Sequence, residues 1–162
     1  MKVIHGQGGI SVTKAQTFLQ QLMAHRSVLP DVVATMKDKD LTFRPWDGAM
    51  TTADLVWHIL SVSHGMASAA ATGQFERITD KPDLATIEDV QRVIRERTDE
   101  LRGLIDSITD EQLDATIELF GNQVPASAAL QLLKDHEIHH KGQLFVYARI
   151  CGAEQLPMFI KR

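Results

Sequence analysis

Four long stretches of this chain carry apolar residues three and four positions apart, and none of comparable length alternates apolar with polar. That period belongs to helices with one buried face rather than to strands. The first stretch, Thr13 to Met36, repeats through Ala15, Phe18, Leu22, His25, Leu29, Val32 and Met36, and Pro30 predicts a kink or short break in it. A second helix starts at Thr51-Thr52, buries Leu55, His58, Ile59, Val62 and Met66, and ends before Gly73. A third opens after Pro82 with Thr86 as its cap and a stripe of Ile87, Val90, Ile94, Arg97, Leu101, Leu104 and Ile108. The last follows Pro125 and Ser127, turns Ala129, Leu133, His136, His140, Leu144, Tyr147 and Cys151 inward, and stops at Gly152. Between them, Thr109 caps a short helix, and residues 116–124 read as a short hairpin around Gly121-Asn122. The expected fold is all-α, a four-helix bundle. Its connections, roughly 14–20 residues long, favour a crossover topology over simple up-and-down order.

Composition narrows the setting. The 162 residues are 44% hydrophobic and 23% charged, enough for one core, so the expectation is one domain over residues 1–162. Its core spans 13–152, with a flexible arm at 1–12 and a tail at 153–162. Seventeen basic against 21 acidic residues give a net charge of −4 without a block of like sign. That argues against electrostatic partners such as nucleic acid or an anionic membrane. A single cysteine, Cys151, forbids an internal disulfide and suits a reducing compartment. Glycines break the N-terminus before a signal-peptide core could form, and no apolar run approaches the ~18 residues of a spanning helix. The expected location is the cytoplasm.

The chemistry lies in the histidines. His136 and His140 sit four residues apart, about 40° apart on one helical face, so both rings can reach one cation. His58, between Leu55 and Val62 in the second stripe, points at the same core. Three neutral imidazoles from two helices leave coordination positions open, which suits catalysis better than structure. A lone inward histidine is ordinarily a hydrogen-bonded core residue, but a pair at i and i+4 would need two separate buried partners. His25 falls in the inward register of the first helix, although a shift of one residue would put Arg26 there instead. It reads as a pocket-wall histidine first and a fourth ligand or catalytic group second. His139 and His64 face elsewhere.

The string His136-Glu137-Ile138-His139-His140 also matches H-E-x-x-H, the metalloprotease signature in which the glutamate is the base. The extended form wants Gly at Gln143 and His at Val146, and neither is present. The only acidic residue after the pair, Glu154, lies beyond the helix-ending glycine. A protease is therefore the weakest reading, and Glu137 a minor candidate base.

Taken together these residues resemble the DinB/YfiT-like superfamily of metal-dependent enzymes, which includes bacillithiol- and mycothiol-dependent S-transferases. The likeness rests on Thr51 through Leu60 around His58, on His136 through Gly152 with its Lys141-Gly142-Gln143 and Tyr147, and on Phe43-Arg44-Pro45. Lys141 departs from it, since arginine is commoner there. The resemblance implies a four-helix bundle in which His58, His136 and His140 hold a divalent metal, zinc or nickel first and iron or manganese second. It also implies homodimers, for which Trp46, Trp57, Phe145 and Phe159 offer apolar surface. Such a metal lowers the pKa of a bound water or thiol. Transfer of a low-molecular-weight thiol to a small-molecule substrate is the leading expectation, with a non-catalytic small-ligand or metal-binding module as its rival. Trp57, Tyr147, Arg97 and Gln143 are candidates for the pocket rim, and the tail 156–160 is apolar enough to dock on the domain or on a partner.

Overall fold

Threonine hydroxyls begin four of the helices. Thr13, Thr51, Thr86 and Thr109 each accept a hydrogen bond at 3.1 Å from the backbone N–H three residues on, each such cap being worth about 0.5–2 kcal/mol. The fold they start, in a computed structural model that describes residues 11–162, runs α1 (Lys14–Arg26), α2 (Leu29–Ala34), a 3₁₀ turn (Asp38–Thr42), α3 (Thr52–Thr72), α4 (Ile87–Asp106), α5 (Asp110–Asp114), strands β1 (Thr116–Leu119) and β2 (Asn122–Pro125), and α6 (Ala126–Ile150). Among the described residues it is all-α but for this one hairpin. Of the arm expected at 1–12, all but Ser11 and Val12 lies outside the described residues.

The first helical stretch breaks at Ser27-Val28, not at Pro30. The proline sits in the first turn of α2 instead, where its missing N–H costs nothing. The hairpin turn is Phe120-Gly121, one residue earlier than expected, with both residues at positive φ (50° and 81°). That is the mirror-image turn whose twist matches a two-residue hairpin. Phe120 takes this conformation with its ring 5.3 Å from that of Phe75.

α3 packs most extensively on α6 and next on α4, while α1 and α2 pack on α4 and α6. The pairs α1/α3 and α4/α6 therefore stand diagonally, so two of the long connections cross the bundle, as their lengths predict. No helix among the described residues is long and apolar enough to cross a membrane.

The apolar interior is divided in two. One cluster gathers α2 with Leu55, Val90, Ile94, Leu144 and Tyr147. The other gathers α1 with Val62, Met66, Leu101, Ile105 and Leu133. Between them every long helix contributes polar side chains: Arg26 and His25 from α1, His58, Ser61 and Ser63 from α3, Thr98 from α4, and His136, Glu137, His140 and Lys141 from α6. At the centre Arg26 donates to Glu137 through Nε (2.8 Å) and Nη2 (2.5 Å), with side chains 1% and 0% exposed. Trp57, expected as spare surface, is buried; Trp46 and Phe159 are exposed.

A lone charge cannot stay buried cheaply. Glu137→Ala or Arg26→Ala should each cost about 3–5 kcal/mol, and the pair Arg26→Met/Glu137→Leu should recover most of that loss. Urea unfolding of the three variants checks this; single and double variants of equal stability would contradict it.

Candidate metal centre

His58 stands on α3, and His136 and His140 stand one turn apart on α6, so the most extensive helix contact among the described residues brings all three rings together. Their candidate ligand atoms lie within 4.8 Å of one another, and no other His, Cys, Asp or Glu among the described residues joins the group. His136 Nε2 and His58 Nε2 are 3.0 Å apart. Ring centroids are separated by 4.9 Å for His58–His136, 4.6 Å for His58–His140 and 4.4 Å for His136–His140. Three tetrahedral bonds of ~2.0–2.1 Å need nitrogens about 3.3 Å apart, so the cluster has the dimensions of a cation site.

The protons are arranged to match. His140 Nδ1–H donates to Gln143 Oε1 at 2.7 Å, which leaves the Nε2 lone pair for the centre, as a neighbour beyond the ligands ordinarily does. His136 keeps Nδ1 buried without a hydrogen-bond partner, and its Nε2 faces that of His58. Neutral rings gathered this way can turn lone pairs toward one point, as a cation site requires. Burial is the main cause holding all three below the ordinary histidine range, with neighbouring rings adding to it at each. His136 is pushed furthest, to about 4. All three are neutral near pH 7, the form that binds metal.

The other candidates separate from this cluster. His25 lies against Lys141, whose Nζ donates to its Nδ1 at 2.9 Å, so it is a wall residue and not a fourth ligand. Glu137 cannot serve as an H-E-x-x-H base. Its carboxylate is closed between Arg26 and Ser63 Oγ, 3.3 Å away, so no oxygen is free to take a proton beside the metal ligands. Lys141, 2% exposed, also donates to Phe159 O at 2.5 Å, and Lys161 N donates to Ala24 O at 2.8 Å. The tail thus docks on its own domain. Tyr147 spends its hydroxyl on Met50 O (3.1 Å), Arg97 pairs with Glu100, and His139 is exposed. Cys151 is half-buried and not part of the group.

Two features escaped the sequence reading. Arg26 takes the inward place that the period gave to His25, the one-residue shift left open there. Arg77 comes from the irregular segment after α3, where no period marks it. It donates to Ser61 Oγ at 3.2 Å, and its charge helps hold His58 and His136 neutral.

A family model described as "DinB family" matches residues 11–161. YjoA of Bacillus subtilis, itself uncharacterised, is 31% identical over 152 residues, 92% of this chain and 98% of that protein. Its crystal structure, described as DinB-like, superimposes with a TM-score of 0.80 over 90% of this chain and 99% of that one, at 30% identity. A DinB-like protein from Bacillus cereus shares the fold at 23% identity, with a TM-score of 0.75 over 91% and 97% of the two chains.

The depressed His136 sets a pH dependence. Its pKa falls from 6.5 to about 4 on folding, so between those values the unfolded chain binds the proton and the folded chain does not. Metal-free protein should lose stability as pH drops through that window, with no such loss above it, and His136→Gln should flatten the profile. Urea midpoints across the window check this; an unchanged slope in the variant would contradict it.

Proposed function

We propose that this chain, which belongs to the DinB family, holds one divalent metal ion at His58, His136 and His140 and activates a thiol or water there against a small-molecule electrophile. One observation carries the reading: three neutral imidazoles within 4.8 Å of one another at the junction of two helices. Zinc or nickel suits such a donor set first, iron or manganese second. The ion supplies Lewis acidity, which makes a thiolate or hydroxide available near neutral pH.

The protein's own residues do the rest. Gln143 fixes the tautomer of His140 by accepting its Nδ1 proton. The Arg26–Glu137 pair holds α6 in the rotation that turns His136 toward His58. The apolar clusters above and below limit water around the rings. Three protein ligands leave an open position, the arrangement of catalytic rather than structural sites, and this supports thiol transfer over a purely structural ion. Exposed Val146, Ile150, Met158 and Phe159 give α6 and the tail a continuous apolar face, which supports pairing into a homodimer.

Elemental analysis of protein purified without an affinity tag should find about one metal ion per chain, and His58→Ala or His136→Ala should lose it. Loaded protein should then consume a low-molecular-weight thiol with a test electrophile, and metal-free protein should not. Unchanged metal content in His58→Ala would remove the site; a loaded protein inert toward thiols would remove the reaction.

A further inference from the structure

Arg77 has a place on the molecule that its position in an irregular segment does not explain. A Cβ added at Gly65 would fall 3.2 Å from Arg77 Cγ and 2.7 Å from the Phe75 ring, so the arginine stem lies flat on α3 where the chain has no side chain. From there the guanidinium runs back along the helix to Ser61 Oγ at 3.2 Å. Ser61 is fully buried, and its own hydroxyl donates to His58 O at 3.4 Å. Positions 65, 61 and 58 are four and three residues apart, one face of α3. The path ends at the backbone of His58, and the charge of Arg77 is felt at the His58 and His136 rings.

The guanidinium arrives there unspent. Arg77 is exposed, and no carboxylate among the described residues lies within salt-bridge distance of it. Of its five N–H groups one hydrogen bond is accounted for. A fixed positive charge beside a cation site is unfavourable unless an anion lies between the two. The cations of the polar layer itself are committed, Arg26 to Glu137 and Lys141 to His25 and Phe159, which leaves the planar fork of Arg77 beside the layer. That matches a carboxylate better than a phosphate dianion.

The geometry points to Arg77 as the specificity-determining residue of this centre, binding a carboxylate on the molecule whose thiol or other donor atom meets the metal. The inference rests on the metal reading above and adds the class of substrate: a small molecule with a carboxylate a few bonds from its reacting atom. Arg77 positions that molecule and is not a metal ligand.

Cobalt(II)-loaded protein provides the test, because its absorption reports thiolate binding directly. The probes are 3-mercaptopropionate and 2-mercaptoethanol, alike in their thiol and different in the charge of the tail. The wild type should bind the carboxylate probe about three- to tenfold more tightly at neutral pH, the range for one charge-assisted contact near the surface. Arg77→Gln, which keeps the stem over Gly65, should bind both alike, and Arg77→Lys should retain part of the preference, with cobalt content and thermal midpoint unchanged in both. A preference that survives in Arg77→Gln, or is missing from the wild type, overturns the inference while leaving the metal site standing. A wild-type chain that takes up no cobalt overturns the metal reading itself, and this inference with it.

Discussion

A charge pair buried in the middle of a helical bundle governs everything else in this fold. Taking a guanidinium and a carboxylate out of water costs several kcal/mol per ion, which their attraction repays only in good geometry. Here Nε and Nη2 of Arg26 meet both oxygens of Glu137, and Ser63 lies beside them. The pair ties α1 to α6 and forbids other rotations of α6, since any rotation large enough to move His136 off His58 would leave Glu137 buried without its partner. An apolar layer would be of comparable stability, but it would not specify that angle.

Around the pair the bundle interior is a sandwich, two apolar clusters with a polar layer between. Arg26 and Glu137 pair with each other and Lys141 is held by His25 and Phe159, so the charge felt at His58 and His136 is that of Arg77. Burial disfavours protonation of these rings most strongly, and the charge of Arg77 adds to it at His58 and His136. The histidines are thus kept neutral by the same desolvation that makes a polar layer expensive. The His140–Gln143 hydrogen bond shows the arrangement most plainly, because it directs one proton outward and one lone pair inward.

Much of this was legible in the sequence, and the exceptions have physical causes. His58, His136 and His140 could be found because ligands must converge, and convergence on helices leaves the i, i+4 spacing and a break in an apolar stripe. The threonine caps and the ending glycines at 73 and 152 were equally readable, since each answers a local backbone need. Arg26 was not, because periodicity places apolar residues inward and a buried charge is justified only by a partner 111 residues away. The same distance misleads a reader of H-E-x-x-H: the motif is complete in sequence, yet its glutamate turns to α1. The hairpin turn slipped by one residue because Phe120 at positive φ carries no turn signature. Arg77 left no trace, lying in a segment without a period and acting through packing on Gly65.

The claim on which the account stands is that three imidazoles from α3 and α6 grip a single ion. X-ray absorption at the edge of the metal that co-purifies with untagged protein measures this directly. The account predicts multiple-scattering features of three histidine rings with nitrogens at ~2.0–2.1 Å, plus one or two lighter ligands. A first shell of oxygen alone, or one unchanged when His58 is replaced, would contradict it.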